Sequence, residues 1–525
     1  MSTTNKAPVV IVGAGPTGVM LAIELARRGV DVSVLDKQPS RPRESRAIGI
    51  HARTLEIFHQ LGIVDEFLEV GHRVHGMAFH TTARRGLRVR FGGLDSPYPF
   101  LLTLSQEVTQ RILDTQLERL GVSIERGVEV IDLEPDAGGV GLQLRDAGQD
   151  REHPLRAGWV VGCDGAHSLV RRRLGVPFDG KDYAQDWLMA EVNIDWAYSD
   201  DFAHIFARTA APLPVFPLPS GRWRLFVPEV PNRGGERRPP DMEEIERLAA
   251  TRGPARMRLT DPSLLATFRC YRRSTNIMRR GRMLVSGDAA HIHSPAGGQG
   301  LNTGLQDAFN LGWKLALVAG RRSPEALLDT YQSERAPIAA GVLALSHGLV
   351  RTFAMPSPIK RQLRDRVLPA AMALPTAERR CVTRLAQLSH TYRGGPLAVS
   401  PPGPAEGSIA SGDRLPNVTG VDLDGRTICT LDLLRSRGYT LFVFADSRSD
   451  VDVAREATNR VARWDVKVKT LVLDGRTDRR HRRLRNRLVL VRPDGYVACN
   501  ASLHRSDIPA RYFTTIAVRS ASEVS

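Results

Sequence analysis

Four β-branched residues, Val9-Val10-Ile11-Val12, run directly into Gly13-Ala14-Gly15-Pro16-Thr17-Gly18. No other stretch restricts the admissible folds so sharply. The apolar run reads as a buried strand, and the spacing of Val19, Met20, Ala22, Ile23, Leu25 and Ala26 as a helix closed by Gly29. A second apolar run, Asp31 to Leu35, ends in Asp36-Lys37. Strand, glycine turn, helix, strand, acid is the order of a dinucleotide-binding unit. Gly13 permits the tight turn, Gly15 lets a pyrophosphate approach the backbone, and Gly18 lets the helix lie close on the strand. With Pro16 and Thr17 they form the mouth of a helix whose open N–H groups and partial positive charge favour phosphate. Asp36 stands about 20 residues downstream, where a carboxylate takes ribose hydroxyls. The glycines alone would also suit a tight structural turn; the acid after the second strand argues for a nucleotide.

At 525 residues the chain has room for about three domains. Its 42% hydrophobic and 25% charged content is ordinary for a soluble globular protein. The sequence shows neither an apolar run of bilayer length nor a signal-peptide pattern, so a cytoplasmic protein with no membrane partner is expected. A formal net charge of +16 raises the question of nucleic acid or acidic lipid. The excess is scattered, however, and almost wholly arginine, densest at Arg171-Arg172-Arg173 and from Arg476 to Arg487. With no recognition motif beside it, a solvated basic surface and no nucleic-acid partner are expected. Cys163, Cys270, Cys381, Cys429 and Cys499 are far apart and form no Cys-x-x-Cys. This argues against a zinc site, a disulfide framework or dithiol chemistry.

Beyond Asp36 comes a basic, turn-rich segment to Arg46, then a helix from about Arg53 to Gly62. Residues 72 to 104 alternate as strands do, and a helix follows from about Glu107 to Leu120. Residues 178 to 274 are β-rich and aromatic, with a polar surface loop near 231–241. Leu301 to Ala319 has strong helical spacing, and 324 to 392 reads as helical up to Gly394-Gly395-Pro396. A Pro/Gly/Ser-rich stretch, Ser400 to Ser411, is the clearest boundary. Beyond it, strands are expected at Thr440–Phe444, Val468–Leu473 and Leu488–Val491, with Asp494-Gly495 as a hairpin turn.

Two further motifs narrow the reading: Asp164-Gly165-Ala166-His167-Ser168-Leu169-Val170-Arg171, and Gly287-Asp288-Ala289-Ala290-His291 with Pro295 and Gly297-Gly298-Gln299-Gly300-Leu301-Asn302 behind it. In this order and spacing the chain resembles the single-component FAD-dependent aromatic hydroxylases, the p-hydroxybenzoate hydroxylase-like class. The resemblance covers about the first three quarters of the chain. The C-terminal part looks like the branch that contains phenol hydroxylase, 3-(3-hydroxyphenyl)propionate hydroxylase and the polyketide hydroxylases. The implied fold is α/β: a Rossmann-like FAD-binding domain with an inserted β-sheet substrate domain, plus a C-terminal thioredoxin-like domain. The expected partition is 1–75, 105–177 and 275–345 for a discontinuous FAD-binding domain and 76–104 and 178–274 for the substrate sheet. A helical segment at 346–398, a linker at 399–411 and the thioredoxin-like unit at 412–525 complete it.

The same resemblance implies roles. Asp36 and Lys37 would lie at the adenosine ribose, and Arg46 would neutralise the FAD pyrophosphate. A surface position is the alternative for Arg46. Gln106 would sit near the flavin, or else serve as a helix-capping amide. Asp164, Gly165 and Arg171 belong to a stretch linked to both FAD and the nicotinamide nucleotide, an internal ion pair or cap being the alternative. Gly287 and Asp288 would receive the ribityl chain, and Pro295 would bend the backbone past the flavin ring. Gly298, Gly300, Leu301 and Asn302 lead into a helix N-terminus, where backbone N–H groups suit a developing anion. The catalytic group would then be the flavin itself, with no metal. NAD(P)H would reduce FAD, O2 would form a C4a-hydroperoxide, and a small phenolic or polyketide-like aromatic would be hydroxylated. The Arg-rich linker tilts the choice of reductant to NADPH over NADH. His51, His291 and His293 are expected to pack rather than catalyse, and Tyr183 and His204 are unfavoured candidates for a substrate base. Phe206, Phe216, Trp223 and Phe226 are candidate cavity residues, with core packing the alternative for each. A homodimer is compatible with the branch. A flavin epoxidase, a Baeyer–Villiger-type or a drug-inactivating oxygenase would keep the fold and change the product. A non-enzymatic flavin sensor would show no turnover.

Overall fold

The architecture is taken from a computed structural model. It describes residues 9–516 except 42–46, 83–85, 149–150, 231–238, 401–408, 446–454, 457–458, 462–463, 465, 474–480, 482–483 and 506. Arg46, most of the surface loop near 231–241, the middle of the Ser400–Ser411 linker and part of the Arg476–Arg487 cluster therefore lie outside the described residues.

The opening strand Val9–Val12 is buried throughout and sits inside a six-stranded sheet. Its neighbours Trp159–Gly162 and Val32–Asp36 run parallel to it, with Val9 opposite both Trp159 and Val32. Met283–Val285 and Ile124–Arg126 extend the sheet in parallel, and Arg279–Arg280 closes one edge antiparallel. Strands covered on both faces read as unbroken apolar runs, as these do. Four helices position the site and are labelled here: α1, Pro16–Ala26; α2, Gln106–Arg119; α3, Gly300–Ala319; α4, Asp329–Phe353. α1 and α3 cross closely because Gly312 lies over Glu24, where an added Cβ would come within 2.5 Å of the Glu24 Cβ.

An eight-stranded sheet stands beside this unit. Its order is His291–Ile292, Arg258–Ser274, Asp179–Asp195, Trp223–Val230, Leu213–Pro217, Phe202–Phe206, Gly76–His80, Leu87–Arg90. All its pairings are antiparallel except Phe202–Phe206 with Gly76–His80. Residues 72 to 104 thus divide. Gly76–His80 and Leu87–Arg90 join the large sheet, whereas Leu101–Thr103 lies between Gly49–Ile50 and His72–Val74 and pairs antiparallel with both.

The helix expected from Arg53 runs Ala52–Leu61 and ends at Gly62 in the left-handed conformation. The C-terminal part forms a second six-stranded sheet in which Thr440–Ala445 pairs parallel with Lys467–Val472 and antiparallel with Arg487–Val491. Gly495 takes the left-handed turn before Val497–Ser502. By length and composition alone, one helical stretch among the described residues, Glu325–Phe353, is apolar enough to cross a membrane, an exception to the sequence reading. It carries Glu334 and Arg335, both buried in ion pairs with other parts of the protein.

Candidate active site

The glycine turn forms a cradle at the mouth of α1. Gly13 is left-handed (φ +100°), and an added Cβ would lie 2.5 Å from the Cys163 carbonyl oxygen. Gly18 packs on the Gly13 carbonyl so closely that any side chain would collide with it. Gly15 is different: nothing lies within 4 Å of where its Cβ would be. It is the N-cap of α1, with Pro16 in the first turn, no side-chain cap and no acidic residue there. This leaves an open, positively polarised helix end facing free volume. Thr17 has a structural task, wedged where Gly287 and Gly304 leave room for its hydroxyl. Asp36 accepts hydrogen bonds from the Ala14 N–H (2.8 Å) and the Gln38 N–H (2.8 Å). Each oxygen keeps a further lone pair for a ribose hydroxyl. Lys37 borders a groove of about 510 Å³ beside it.

A second layer supports the cradle, and the sequence reading missed it. Gln110 on α2 donates to the Ala14 carbonyl (3.0 Å) and to Asp114 (2.6 Å). Asp114 in turn pairs with Arg41 (2.7 Å) and Arg126 (3.2 Å). The only sequence signal was the i, i+4 spacing of Gln110 and Asp114 on a helix beside the fingerprint.

Asp164 packs its Cα under Gly13, accepts from the Leu169 and Val170 N–H groups, and leaves a buried Oδ1 without a partner. Gly165 turns left-handed at φ +73°. Arg171 points inward. It donates to the carbonyls of Ala289 (2.8 Å) and Ala166 (2.8 Å), and its guanidinium lies 3.7 Å from the Phe178 ring centre. It thereby fastens the second motif to the third. Uncapped helix end, empty space over Gly15 and orphaned Asp164 oxygen together fit a bound dinucleotide.

The third motif begins at Gly287 (φ +61°), which leaves room for Thr17, followed by the exposed Asp288. Pro295 and the left-handed Gly297 and Gly298 lead to α3, which starts at Gly300 and Leu301 without a side-chain cap or an acidic first turn. The buried Asn302 clamps this loop: its oxygen accepts from the His51 N–H (2.9 Å), and its amide donates to Gly49 (2.8 Å) and Gly298 (3.0 Å) carbonyls. His51 lies 2.9 Å from the Gly297 carbonyl. Burial lowers its pKa to about 4, outweighing the carbonyls of Gly297 and Gly298. Gln106 accepts from the Ala47 N–H (3.2 Å), while Ser105 supplies the cap of α2.

His291 and His293 belong to a buried chain. Arg335 donates to Asp307 (2.6 Å), whose other oxygen meets His291 Nε2 (2.5 Å), and His291 Nδ1 lies 3.1 Å from His293 Nε2. Burial opposes ionisation of Asp307, but Arg335 and His291 hold its carboxyl below the usual range. A carboxylate only accepts, so the His291 Nε2 that faces Asp307 carries a proton. Burial and His291 lower the His293 pKa to about 3.

The large sheet has two unlike faces. Trp187, Met189, Leu218, Phe226, Phe268 and Cys270 form one apolar layer with Ile48, and Phe216 packs against it. Ile48 adjoins Gly49, so this layer abuts the loop held by Asn302. Phe206 and Trp223 lie in the opposite layer, with Leu188, Val215 and Ile245. Of the four cavity candidates, Phe216 and Phe226 are therefore on the face toward the loop, and the other two are core. His204 also leaves the site: its ring meets His80 (3.0 Å) and the Ser199 carbonyl (2.8 Å). The side chain of Tyr183 lies outside the described residues.

Fold and cradle together define a dinucleotide-binding protein of the Rossmann-like kind. Residues 6–346 match the FAD binding domain family, and residues 409–516 match the aromatic-ring hydroxylase C-terminal family. The 6-methylpretetramide 4-monooxygenase of Streptomyces rimosus is 40% identical over 69% of this chain, a match spanning 64% of that relative's length. Pentachlorophenol 4-monooxygenase of Sphingobium chlorophenolicum is 31% identical over 98% of this chain and 97% of its own. The solved anhydrotetracycline hydroxylase OxyS of Streptomyces rimosus superposes with a TM-score of 0.80 at 29% identity, covering 98% of this chain and 100% of its own. The chain belongs to the FAD-dependent aromatic-ring hydroxylases and is a flavoprotein monooxygenase.

Proposed function

We propose that the substrate is a planar, fused-ring phenol of the aromatic polyketide kind and that NADPH is the preferred reductant. The observation that carries this reading is the apolar layer of Trp187, Met189, Phe216, Phe226 and Phe268, which packs on Ile48, the chain neighbour of the Gly49 that Asn302 holds. Such a wall suits a wide, flat, apolar molecule. The names of the tetracycline-pathway relatives point the same way. In net terms, one ring C–H becomes C–OH, the second oxygen leaves as water, and NADPH with a proton supplies the two electrons. Bound FAD supplies the redox chemistry that links nicotinamide to O2.

The chain's own residues hold, orient and shield. Gly15 and the end of α1 would cradle the pyrophosphate, with Arg46 beside it. Asp36 would take the ribose and Asp288 the ribityl hydroxyls. Pro295, Gly298 and the N–H groups of Gly300, Leu301 and Asn302 would border the flavin ring and stabilise negative charge on it. The layer of rings would exclude water from the reacting face. The domain partition expected from the sequence is part of the same proposal. So is a thioredoxin-like C-terminal unit, which the parallel pair Thr440–Ala445 and Lys467–Val472 beside the hairpin of Arg487–Val491 and Val497–Ser502 supports. Without Cys-x-x-Cys, that unit would be structural or an oligomer contact.

The test is anaerobic bleaching of the bound flavin by NADPH or NADH, with and without a panel of simple phenols and tetracyclic polyketides, followed by turnover under 18O2. A fused-ring phenol that speeds bleaching by orders of magnitude and gains one 18O supports the reading. Bleaching that no compound changes, with no labelled product, overturns it.

A further inference from the structure

α4 is followed by a fifth helix, α5, Pro358–Met372. Its inward face is held largely by polar groups. Arg364 and Asp365 are both buried. Arg364 donates to the Ala207 carbonyl (2.8 Å) and to Asp365 (2.8 Å), and Asp365 accepts from the Thr82 N–H (3.1 Å) and hydroxyl (2.5 Å). Ala207 and Thr82 follow two strands of the eight-stranded sheet, so these bonds tie α5 to its edge. Leu368 and Met372 complete the seat.

The outward face is the apolar one that a surface helix normally buries. Ile359, Leu363 and Val367 stand four residues apart, hence on one side, and are 78%, 62% and 56% exposed. Leu374, just past the helix, is 59% exposed. These are the four most exposed large hydrophobic residues among the described ones, and they lie together rather than scattered. The stretch ahead of them, Glu325–Phe353, is only 28% buried over its most apolar part.

Charge says what covers this stripe. From Arg351 to Arg380 the exposed charges are Arg351, Lys360, Arg366, Arg379 and Arg380. The two acids of that stretch are turned away: Asp365 is buried, and Glu378 is half-buried and accepts from the Arg90 N–H (3.2 Å). At about 3.6 residues per turn, Lys360 and Arg366 stand on opposite edges of the stripe. A second copy laid on this face would bring basic edge against basic edge. A stable protein partner would engage about 20–30 residues a side, far more than this stripe offers. An anionic lipid surface meets both features: the apolar side chains enter the acyl boundary, and the long basic ones reach the headgroups.

We propose that the outer face of α5 docks this protein on an anionic lipid surface, lying on it and not crossing it. The sequence reading expected no membrane partner because it sought a run of bilayer length, which a helix lying in the interface does not need. The proposal is independent of which compound is hydroxylated.

The experiment floats the full-length, FAD-loaded protein with vesicles of phosphatidylcholine alone or mixed equally with phosphatidylglycerol. The protein should float with the mixed vesicles, less so as salt rises, and not with phosphatidylcholine. Ile359→Gln/Leu363→Gln/Val367→Gln should keep its flavin absorbance and melting temperature, because these side chains are mostly exposed, and should lose vesicle affinity at least about tenfold. Leu363→Trp adds a reporter to the six tryptophans present. Its difference emission should shift to the blue on mixed vesicles and be quenched by brominated lipid. Absence of flotation with mixed vesicles overturns the proposal. So does equal flotation of the triple variant, which would assign binding to the net charge of +16. A Leu363→Trp emission that stays at its wavelength in water while the protein is on the vesicle also overturns it, and decides the matter if the triple variant is destabilised. Light scattering that finds a dimer split by the triple variant, with neither protein floating, would give the stripe to a second copy instead.

Discussion

Gly15 and Gly18 look alike in the fingerprint but differ in what a methyl group would meet. At Gly15 it meets nothing in the protein; at Gly18 it meets the Gly13 carbonyl. Gly15→Ala should therefore leave the melting temperature of the flavin-free protein unchanged while FAD affinity drops at least tenfold, measured by flavin fluorescence on dilution. Gly18→Ala should lower that melting temperature as well, by an overpacking cost of about 1–3 kcal/mol. Equal FAD affinity in Gly15→Ala and the unaltered protein would sink the cradle. The titrating residues make a second prediction. Burial lowers His51 to about 4, and His293 and His390 to about 3. In the unfolded chain each titrates near pH 6.5. Between these values the unfolded state binds protons that the folded state refuses, so stability is full above about pH 6.5 and is lost as pH falls toward 4. Each buried histidine contributes up to about 1.4 kcal/mol per pH unit in that window. The melting temperature should fall from pH 7 to pH 5, and His51→Gln should flatten the slope. Asp307 and Glu334, both lowered, add to the loss only at more acidic pH. At this scale the glycine turn was legible because its shape follows from local backbone geometry. The tasks of Asn302, Arg171 and His291 were not, because their partners His51, Ala289 and Asp307 are distant in sequence or hidden in a helix.

Alternation along a strand assigns side chains to faces but not faces to surroundings. The sequence reading grouped Phe206, Phe216, Trp223 and Phe226 as candidate cavity residues. The pairing of Val215 with Leu225 and Phe216 with Arg224 fixes which of them share a face. Phe216 and Phe226 then fall beside Ile48, next to the Gly49 bound by Asn302, while Phe206 and Trp223 fall in the opposite core layer. A single sequence cannot make this distinction, because both faces are apolar: a helix, Met242–Arg252, covers the far one. The consequence is a split in readouts. Phe226→Ala should raise the KM for the aromatic substrate, or uncouple NADPH oxidation from hydroxylation, more than it lowers thermal stability. Trp223→Ala should lower stability by about 3–5 kcal/mol and leave KM in the surviving folded enzyme near its original value. Steady-state kinetics alongside thermal melts decide it; the reverse pattern would turn the sheet around. The helix starts were easier to read. α1 and α3 announce themselves by glycine at the mouth and apolar spacing behind; α3 begins one residue before the expected Leu301, and α1 begins at Pro16, three residues before the apolar spacing that starts at Val19.

The three quarters of the chain that resemble a known class and the part beyond Ser411 are joined by buried charge. Arg492 of the C-terminal unit pairs with Glu334 of α4 (2.5 Å) and with Asp494 (2.5 Å), all of them inaccessible to solvent. Lys314 of α3 adds a bond to Glu334 (2.7 Å), and Trp313 and Asn310 donate to Asp494. Arg53 reaches the Asp494 carbonyl (2.7 Å), and Arg414 pairs with Glu56 (3.0 Å). Composition marks the Pro/Gly/Ser-rich stretch but says nothing of what crosses it. Asp494-Gly495 was read as a hairpin turn, which it is, yet its carboxylate is also the hub of the junction. Burial opposes charge on Glu334, and Arg492 and Lys314 nevertheless hold its carboxyl down to about 2. Lys314 itself is lowered to about 8, chiefly by burial. Removing Arg492 strands two carboxylates in a dry interior with one weakened lysine to balance them. Arg492→Met should therefore cost about 3–5 kcal/mol, the usual effect of breaking a buried pair from one side. Because the cluster ties the C-terminal sheet to α3 and α4, the loss should not stay local. Flavin release, followed by fluorescence, and loss of helix, followed by circular dichroism, should shift down together in one transition. Adding Glu334→Gln to Arg492→Met removes one stranded charge and should recover part of the loss. If the C-terminal sheet instead melted in an early, separate step with flavin retained, the junction would be a loose contact between independent domains, and the charge cluster would not be what couples them.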